Sequence, residues 1–270
     1  MKTAKTFQTR CVRVLIGILA IFLIFGPLSS LVIWSFAKTW HWPGMLPQEW
    51  STMYWAKVGD TSILKSLGVS LLIAAVTMLI CVVLTVPLAY VMARRSFPCK
   101  ALIMLAFMLP QAFPQLPVFV NLMTDFYKWD LVGTMPGVLL IHVTLGMLYA
   151  LWIMVSVFQS IPRSLELAAC NLGAGQLRAF FQITLPQAVP GILSAAILVF
   201  LNSLDEFTGS LLIGAPYIKT LSVFMYNTAM GYEMQVASVA ALLLAAPGIL
   251  MLLVLDRFLK AEYLSGFGKV

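Results

Sequence analysis

Residues 165–190 read LELAACNLGAGQLRAFFQITLPQAVP, and the reading of this stretch decides the fold. It lies between two long apolar runs and is the one extended helix-compatible segment that stays off the membrane. Gly173 predicts a small-residue turn that divides it into two short helices. Ala168, Ala169 and Leu172 form one apolar face, and Leu177, Phe180 and Phe181 another. Two short, half-apolar helices held against a membrane domain suit docking into a groove on a soluble partner. The plainer alternative is an interfacial helix pair with no partner.

The flanking sequence sets the class. The 270 residues are 61% hydrophobic and 10% charged, where soluble domains average about 25% charged. With a mean hydropathy of +0.96 the chain reads as an integral membrane protein. A helical span takes about 20 apolar residues. Six such runs fit, at 14–36, 66–92, 101–123, 135–158, 189–213 and 236–258. The expected architecture is all-α, one transmembrane domain over 1–270, with a cytoplasmic segment at 160–188 between spans four and five. The first run follows Lys2, Lys5, Arg10 and Arg13 and resembles a signal peptide, but it is long and lacks an A-x-A site, so it reads as an uncleaved span.

Basic residues orient these spans. Lys2, Lys5, Arg10, Arg13, Arg94, Arg95, Lys100, Arg163, Arg178, Arg257, Lys260 and Lys269 fall on one side, and Lys38, Lys57, Lys65, Lys128 and Lys219 on the other. The bias puts both termini and the 160–188 segment in the cytoplasm. The net charge of +7 is scattered at membrane edges and forms no stripe, which argues against nucleic acid. Cys11, Cys99 and Cys170 then lie inside and Cys81 within a span, so no disulfide framework is expected. Trp40, Trp42, Trp50 and Trp55 cluster in an external loop suited to the membrane surface. The basic turn Arg94–Lys100 receives no chemistry. A second outer loop is expected at 214–235.

Pro110, Pro114 and Pro117 in LPQAFPQLP predict a broken or strongly kinked third span. Such backbone is tolerated in a membrane where it is buried in protein or lines a watery path. Gln111 and Gln115 add polar groups there, and the stretch reads as a wall of a translocation path. Span five carries Asn202, Ser203, Asp205 and Glu206. Carboxylates inside a span are costly and mark function or pairing. On a helix Asp205 and Glu206 point about 100° apart, while Asn202 and Glu206 share a face. Two readings stand: an acidic site facing a cationic solute, or a structural pair that meets helix ends, waters or His142. His142 itself reads as a hydrogen-bonded packing residue. Gly133 and Gly137 form a GxxxG interrupted by Pro136, a weak packing signal. No metal-ligand spacing occurs, and no GxxxxGK[ST] phosphate loop, so ATP hydrolysis by that route requires a separate protein. No nucleophile–base spacing supports an intramembrane enzyme built on Ser203, Asp205 and His142.

The 165–190 stretch resembles the coupling segment of ABC importer permeases, whose signature is EAA, three residues, Gly, nine residues, Ile-x-Leu-Pro. Ala168, Ala169, Gly173, Ile183, Leu185 and Pro186 match in spacing and identity. The signature glutamate falls on Leu167, and the carboxylate sits one residue earlier, at Glu166. The resemblance implies alternating access, two ATPase subunits that bind the ATP, a second permease subunit (a heterodimer is expected), an extracytoplasmic solute-binding protein and the bacterial inner membrane. It assigns coupling to Glu166, Ala168, Ala169, Gly173 and Leu177, with Ile183, Leu185 and Pro186. The path is assigned to Asn202, Asp205, Glu206, Gln111 and Gln115. The SLDEF stretch and short tail look most like the spermidine/putrescine permeases. Iron, thiamine, sulfate or phosphonate permeases are the alternatives within the family, and a stand-alone channel or secondary transporter is the alternative outside it.

Overall fold

The computed structural model describes residues 2–41, 43–59, 61–96 and 98–267. Eleven α-helices account for most of them, in the order α1 (Lys2–Phe36), α2 (Met53–Ala56), α3 (Thr61–Arg94), α4 (Lys100–Ala112), α5 (Gln115–Lys128), α6 (Met135–Ser160), α7 (Arg163–Asn171), α8 (Gln176–Ala179), α9 (Leu185–Asp205), α10 (Leu221–Met230) and α11 (Met234–Phe267). Four helical stretches are long and apolar enough to cross a membrane, and six if each of two bent helix pairs makes one span. The chain divides into two compact units, Met1–Leu64 with Phe224–Leu243, and Lys65–Val223 with Leu244–Val270.

In the first unit the aromatic loop contains a small hairpin. Strands β1 (Ala37–Thr39) and β2 (Glu49–Trp50) pair antiparallel, with Ala37 opposite Trp50. Lys38 meets Glu49 at 2.7 Å, and Trp34 packs on Trp40 with ring centres 4.6 Å apart. Trp42 and Lys269 lie outside the described residues. The outer loop expected at 214–235 contains helix α10.

The second unit is built on α6. Met154, Leu151 and Phe158 of α6 are fully buried with Cys81 and Ala89 of α3 and Val199 of α9. Small residues permit the approach, as between membrane helices generally. A Cβ at Gly146 would lie 2.9 Å from Val199 Cγ1 and 3.0 Å from Cys81 Sγ, and one at Gly191 would strike Val157. The start of α6 explains the GxxxG. Thr134 caps the helix by accepting from Gly137 N at 3.2 Å, Pro136 occupies the first turn, and Gly133, at φ +75°, donates its N–H to Ile213 O at 2.6 Å.

The third span breaks as its prolines predict, and one proline is responsible. Helices α4 and α5 meet at 98°. Phe113 is extended (φ −106°, ψ 149°) because the ring of Pro114 crowds it away from the helical region. Pro110 is carried inside α4. Pro117 lies in the first turn of α5, where its missing N–H costs nothing. Span five corrects the expectation of one helix through 213: α9 stops at Asp205, Glu206 is extended (φ −66°, ψ 118°), and a helical turn follows, ending as a π-helix over Ser210–Gly214.

The close helix contact yields a stability prediction. Gly146→Val should destabilise the protein by about 1–3 kcal/mol, the usual range for overpacking. Thermal unfolding in detergent reads this, and an unchanged midpoint would remove the α3–α6–α9 contact from the account.

Candidate functional site

The stretch after α6 is shaped by its own backbone. At the end of α7, Gly173 adopts φ +92°. Its N–H donates to Cys170 O at 3.0 Å, and Ala174 N donates to Ala169 O at 3.0 Å. This is the Schellman pattern, in which a glycine in left-handed conformation closes the last helical carbonyls. A Cβ there would touch nothing within 4 Å, so the glycine is required by its dihedral and not by crowding. The second half differs from the two-helix expectation. Helix α8 does not end but runs through a π-helical turn at Phe180–Thr184 into α9. The Leu185 N–H reaches back to Phe180 O. Widening the helix here relieves the ring of Pro186, which would otherwise press on the carbonyl four residues earlier.

The π turn aims Thr184 at Glu166. Thr184 Oγ1 donates to Glu166 Oε1 at 2.7 Å. Arg94, the last residue of α3, reaches the same oxygen with Nε at 2.9 Å and Nη2 at 2.7 Å, and its Nη1 donates to Ile161 O at 3.0 Å. Tyr90 donates its hydroxyl to Oε2 at 3.1 Å. Glu166 is thereby 8% exposed. Burial pushes its carboxyl pKa up, but the bonds from Thr184 and Arg94, the Arg94 charge and the Tyr90 hydroxyl outweigh burial and hold it below the ordinary carboxylate value. The carboxylate expected to face a partner therefore faces inward and fastens α7 to α3 and α9. Arg94, Tyr90 and Thr184 went unassigned in the sequence, where only the displaced glutamate hinted that a partner was needed.

The outer surface carries large apolar side chains among polar ones. Leu172 is 90% and Leu177 76% exposed, and Leu165, Leu167 and Phe181 are exposed as well. The expected second face is split: Phe180 turns in to pack, tilted, against Tyr90 with ring centres 4.6 Å apart, while Leu177 and Phe181 turn out. Ala168 is exposed and Ala169 half-buried, as are Ile183 and Leu185, and Pro186 is exposed.

The acidic pair separates. Glu206 is buried where span five breaks, and it caps the helical turn that follows: Oε1 accepts from Gly209 N at 2.7 Å and Oε2 from Ser210 N at 2.9 Å. His142, also buried, lies between Ser203 Oγ (2.7 Å from Nδ1) and Ser210 Oγ (2.9 Å from Nε2), with Glu206 Oε2 3.4 Å from Nε2. Ser210 Oγ donates to Glu206 Oε2 at 2.9 Å. That donation leaves Ser210 to accept from His142, which places a proton on Nε2. Asp205, one residue earlier, is exposed and has no hydrogen bond or ion pair among the described residues. Because Glu206 has left the helix, the shared face expected for Asn202 and Glu206 does not form. Asn202 is half-buried on α9. Gln115 lines an apolar cavity of about 490 Å3 in the α4–α5 elbow, and Gln111 is exposed on α4. No hydrogen bond among the described residues joins either glutamine to the acidic pair.

Residues 85–261 match the family described as binding-protein-dependent transport system inner membrane component, and the chain belongs to that family. It is thus a membrane permease component of ABC importers. The putrescine transport system permease protein PotI of Escherichia coli (strain K12) is 30% identical over 88% of this chain and 87% of its own. The molybdate/tungstate transport system permease protein WtpB of Pyrococcus abyssi is 30% identical over 78% of this chain and 82% of its own. A bacterial ABC transporter that imports the acidic polysaccharide alginate has the same fold, with a TM-score of 0.70 and 18% identity over 94% of this chain and 97% of that one.

Glu166→Gln leaves the Arg94 guanidinium buried without its counter-charge, and the expected loss is about 3–5 kcal/mol. In the wild type the native carboxyl pKa lies below its unfolded value. The stabilisation is therefore complete at neutral pH and is lost as pH falls through the native value. Unfolding measured against pH should show this acid limb in the wild type and a flatter one in Glu166→Gln; superimposable curves would discount the ion pair.

Proposed function

We propose that the chain is one of two permease subunits of an ATP-driven importer for a cationic solute of the polyamine class. The observation that carries the coupling half of this reading is the inverted surface of α7 and α8, with the carboxylate inside and Leu172 and Leu177 outside. Exposed leucines on short helices fit an apolar groove on a soluble partner. The sequence lacks a phosphate loop of its own, so that partner is the ATPase, two copies serving two permease subunits. The basic-residue bias supports both termini and the coupling segment in the cytoplasm, with the solute-binding protein on the other side. Gly173 fixes the angle between α7 and α8. A movement of the ATPase pair at Leu172 and Leu177 then passes through Ala168 and Ala169 of α7 to Glu166, and through Ile183, Leu185 and Pro186 to α9, which reorients between outward- and inward-open arrangements.

The cationic half rests on Asp205. It is an exposed carboxylate at the interruption of an apolar span, where an unpaired charge is costly unless function retains it. Asp205, Asn202 and the elbow glutamines Gln111 and Gln115 are assigned to the path, and Glu206 holds the interruption open. The likeness to PotI, a putrescine permease, supports the same class. A ligand panel on the co-purifying binding protein, spanning polyamines, basic amino acids, ferric iron, thiamine and oxyanions, should select a polyamine. Asp205→Asn should then lower uptake at sub-saturating solute by about tenfold, the worth of one charge-assisted contact. Selection of an oxyanion, or unchanged uptake in the variant, would return Asp205 to a structural part.

Gly173→Asp tests the coupling half. Its side chain has room but its dihedral costs about 1–2 kcal/mol. The variant should insert normally while loaded binding protein no longer stimulates the ATPase. Full stimulation would sink the assignment.

A further inference from the structure

Beside the Glu166 anchor the fold leaves a second, smaller cavity of about 170 Å3 that the transport reading does not use. Its wall is drawn from the last turns of α3, from α7 and from the start of α8, and includes Arg94, Arg95, Arg163, Gln176 and Cys170. Glu166 is the single carboxylate in that wall, so three guanidinium groups face one negative charge and the hollow carries a net +2. Arg94 is committed to Glu166 and to the carbonyl of Ile161. Arg95 and Arg163 are exposed, and neither guanidinium has an ion pair or hydrogen bond among the described residues. A polar hollow with two uncommitted guanidinium groups calls for an anion with several acceptor oxygens, since each planar fork grips two of them.

Position selects the anion. Arg94 ends the helix Ser62–Arg94, which is long and apolar enough to cross a membrane, so the cavity lies at the polar end of a candidate span. Tyr90 and Val91 of that helix also line it. Basic pockets between helices at the cytoplasmic edge bind phosphate-bearing lipid headgroups. We propose that Arg95 and Arg163 hold a phosphate group in this cavity, presented there by an anionic phospholipid. The inference rests on the orientation given above, with the end of α3 at the inner leaflet. A headgroup so placed lies against Gln176 and Cys170, on either side of the Gly173 turn, and adds a lipid contact to the segment that carries coupling.

Lipid retention tests this without any transport readout. The full-length chain, purified in detergent and offered cardiolipin or phosphatidylglycerol, should keep an anionic lipid in native mass spectrometry and release phosphatidylcholine. Arg95→Gln/Arg163→Gln should lower that retention by roughly thirtyfold, the worth of two basic side chains at an anionic surface. Both arginines are exposed, so folding should be intact, which unfolding curves check. The Lys-for-Arg pair should restore part of the retention, and Lys100→Gln, outside the cavity wall, should leave it unchanged. Inorganic phosphate, titrated without lipid, separates the sources: binding that needs both arginines while lipid retention does not would assign the cavity to a soluble phosphate. Equal retention by wild type and the double variant, with no phosphate binding, overturns the proposal. Failure of the ATPase experiment on Gly173→Asp leaves this result untouched, and the reverse holds, so each reading fails separately.

Discussion

One buried ion pair, between Arg94 and Glu166, holds α7 to the end of α3. Arg94 donates Nε to Glu166 Oε1 and Nη1 to the carbonyl of Ile161, while Nη2 adds the close charge contact to Oε1 without a hydrogen bond of its own. Taking both charges out of water costs several kcal/mol per ion, and their attraction offsets this only when the remaining lone pairs are filled. Tyr90 and Thr184 fill them. The four side chains come from α3, α7 and the π turn before α9, so the pair closes only when all three elements are in place. Its net stabilisation is modest for that reason, while its geometric demand is severe. Such a joint suits an element that must pass on a displacement as a rigid body, because α7 cannot tilt without stranding a charge.

The same joint explains why the segment shows leucine to its surroundings. A nine-residue helix has two faces. Once Glu166 takes the inward one, the positions out of phase with it, Leu165, Leu167 and Leu172, are turned outward. In an isolated soluble helix the preference would run the other way. The inversion is stable because the polar residue has found partners that water cannot better, and it leaves apolar area that only another protein surface or lipid can cover.

Much of this was legible in the sequence. The spacing from Ala168 to Pro186 forecast a turn at Gly173, and its left-handed dihedral supplies the reason. The three prolines forecast a broken third span. What the sequence hid was which proline acts, since Pro110 and Pro117 tolerate helical positions that Pro114 does not. Periodicity also carried span five through Glu206, because apolar residues continue on both sides. It has no means of seeing that a glutamate side chain will fold forward to accept two backbone N–H groups and so end one helix and start another. Arg94 was invisible for a different reason: its partner lies 72 residues away, and a basic residue at a span end is ordinary.

The break at Glu206 changes what adjacent carboxylates mean. On a continuous helix Asp205 and Glu206 would be two charges on neighbouring faces, each paying its own desolvation. With the helix ended between them, Glu206 is consumed by backbone donors and, through Ser210, linked to His142, so it behaves as part of the scaffold. Asp205 keeps the exposed position at the last helical turn, and the carbonyls that close α9 add partial negative charge beside it. One carboxylate thus fixes the backbone and the other is left free beside a negative helix end. That division of labour leaves one exposed aspartate where the sequence shows a pair of acids.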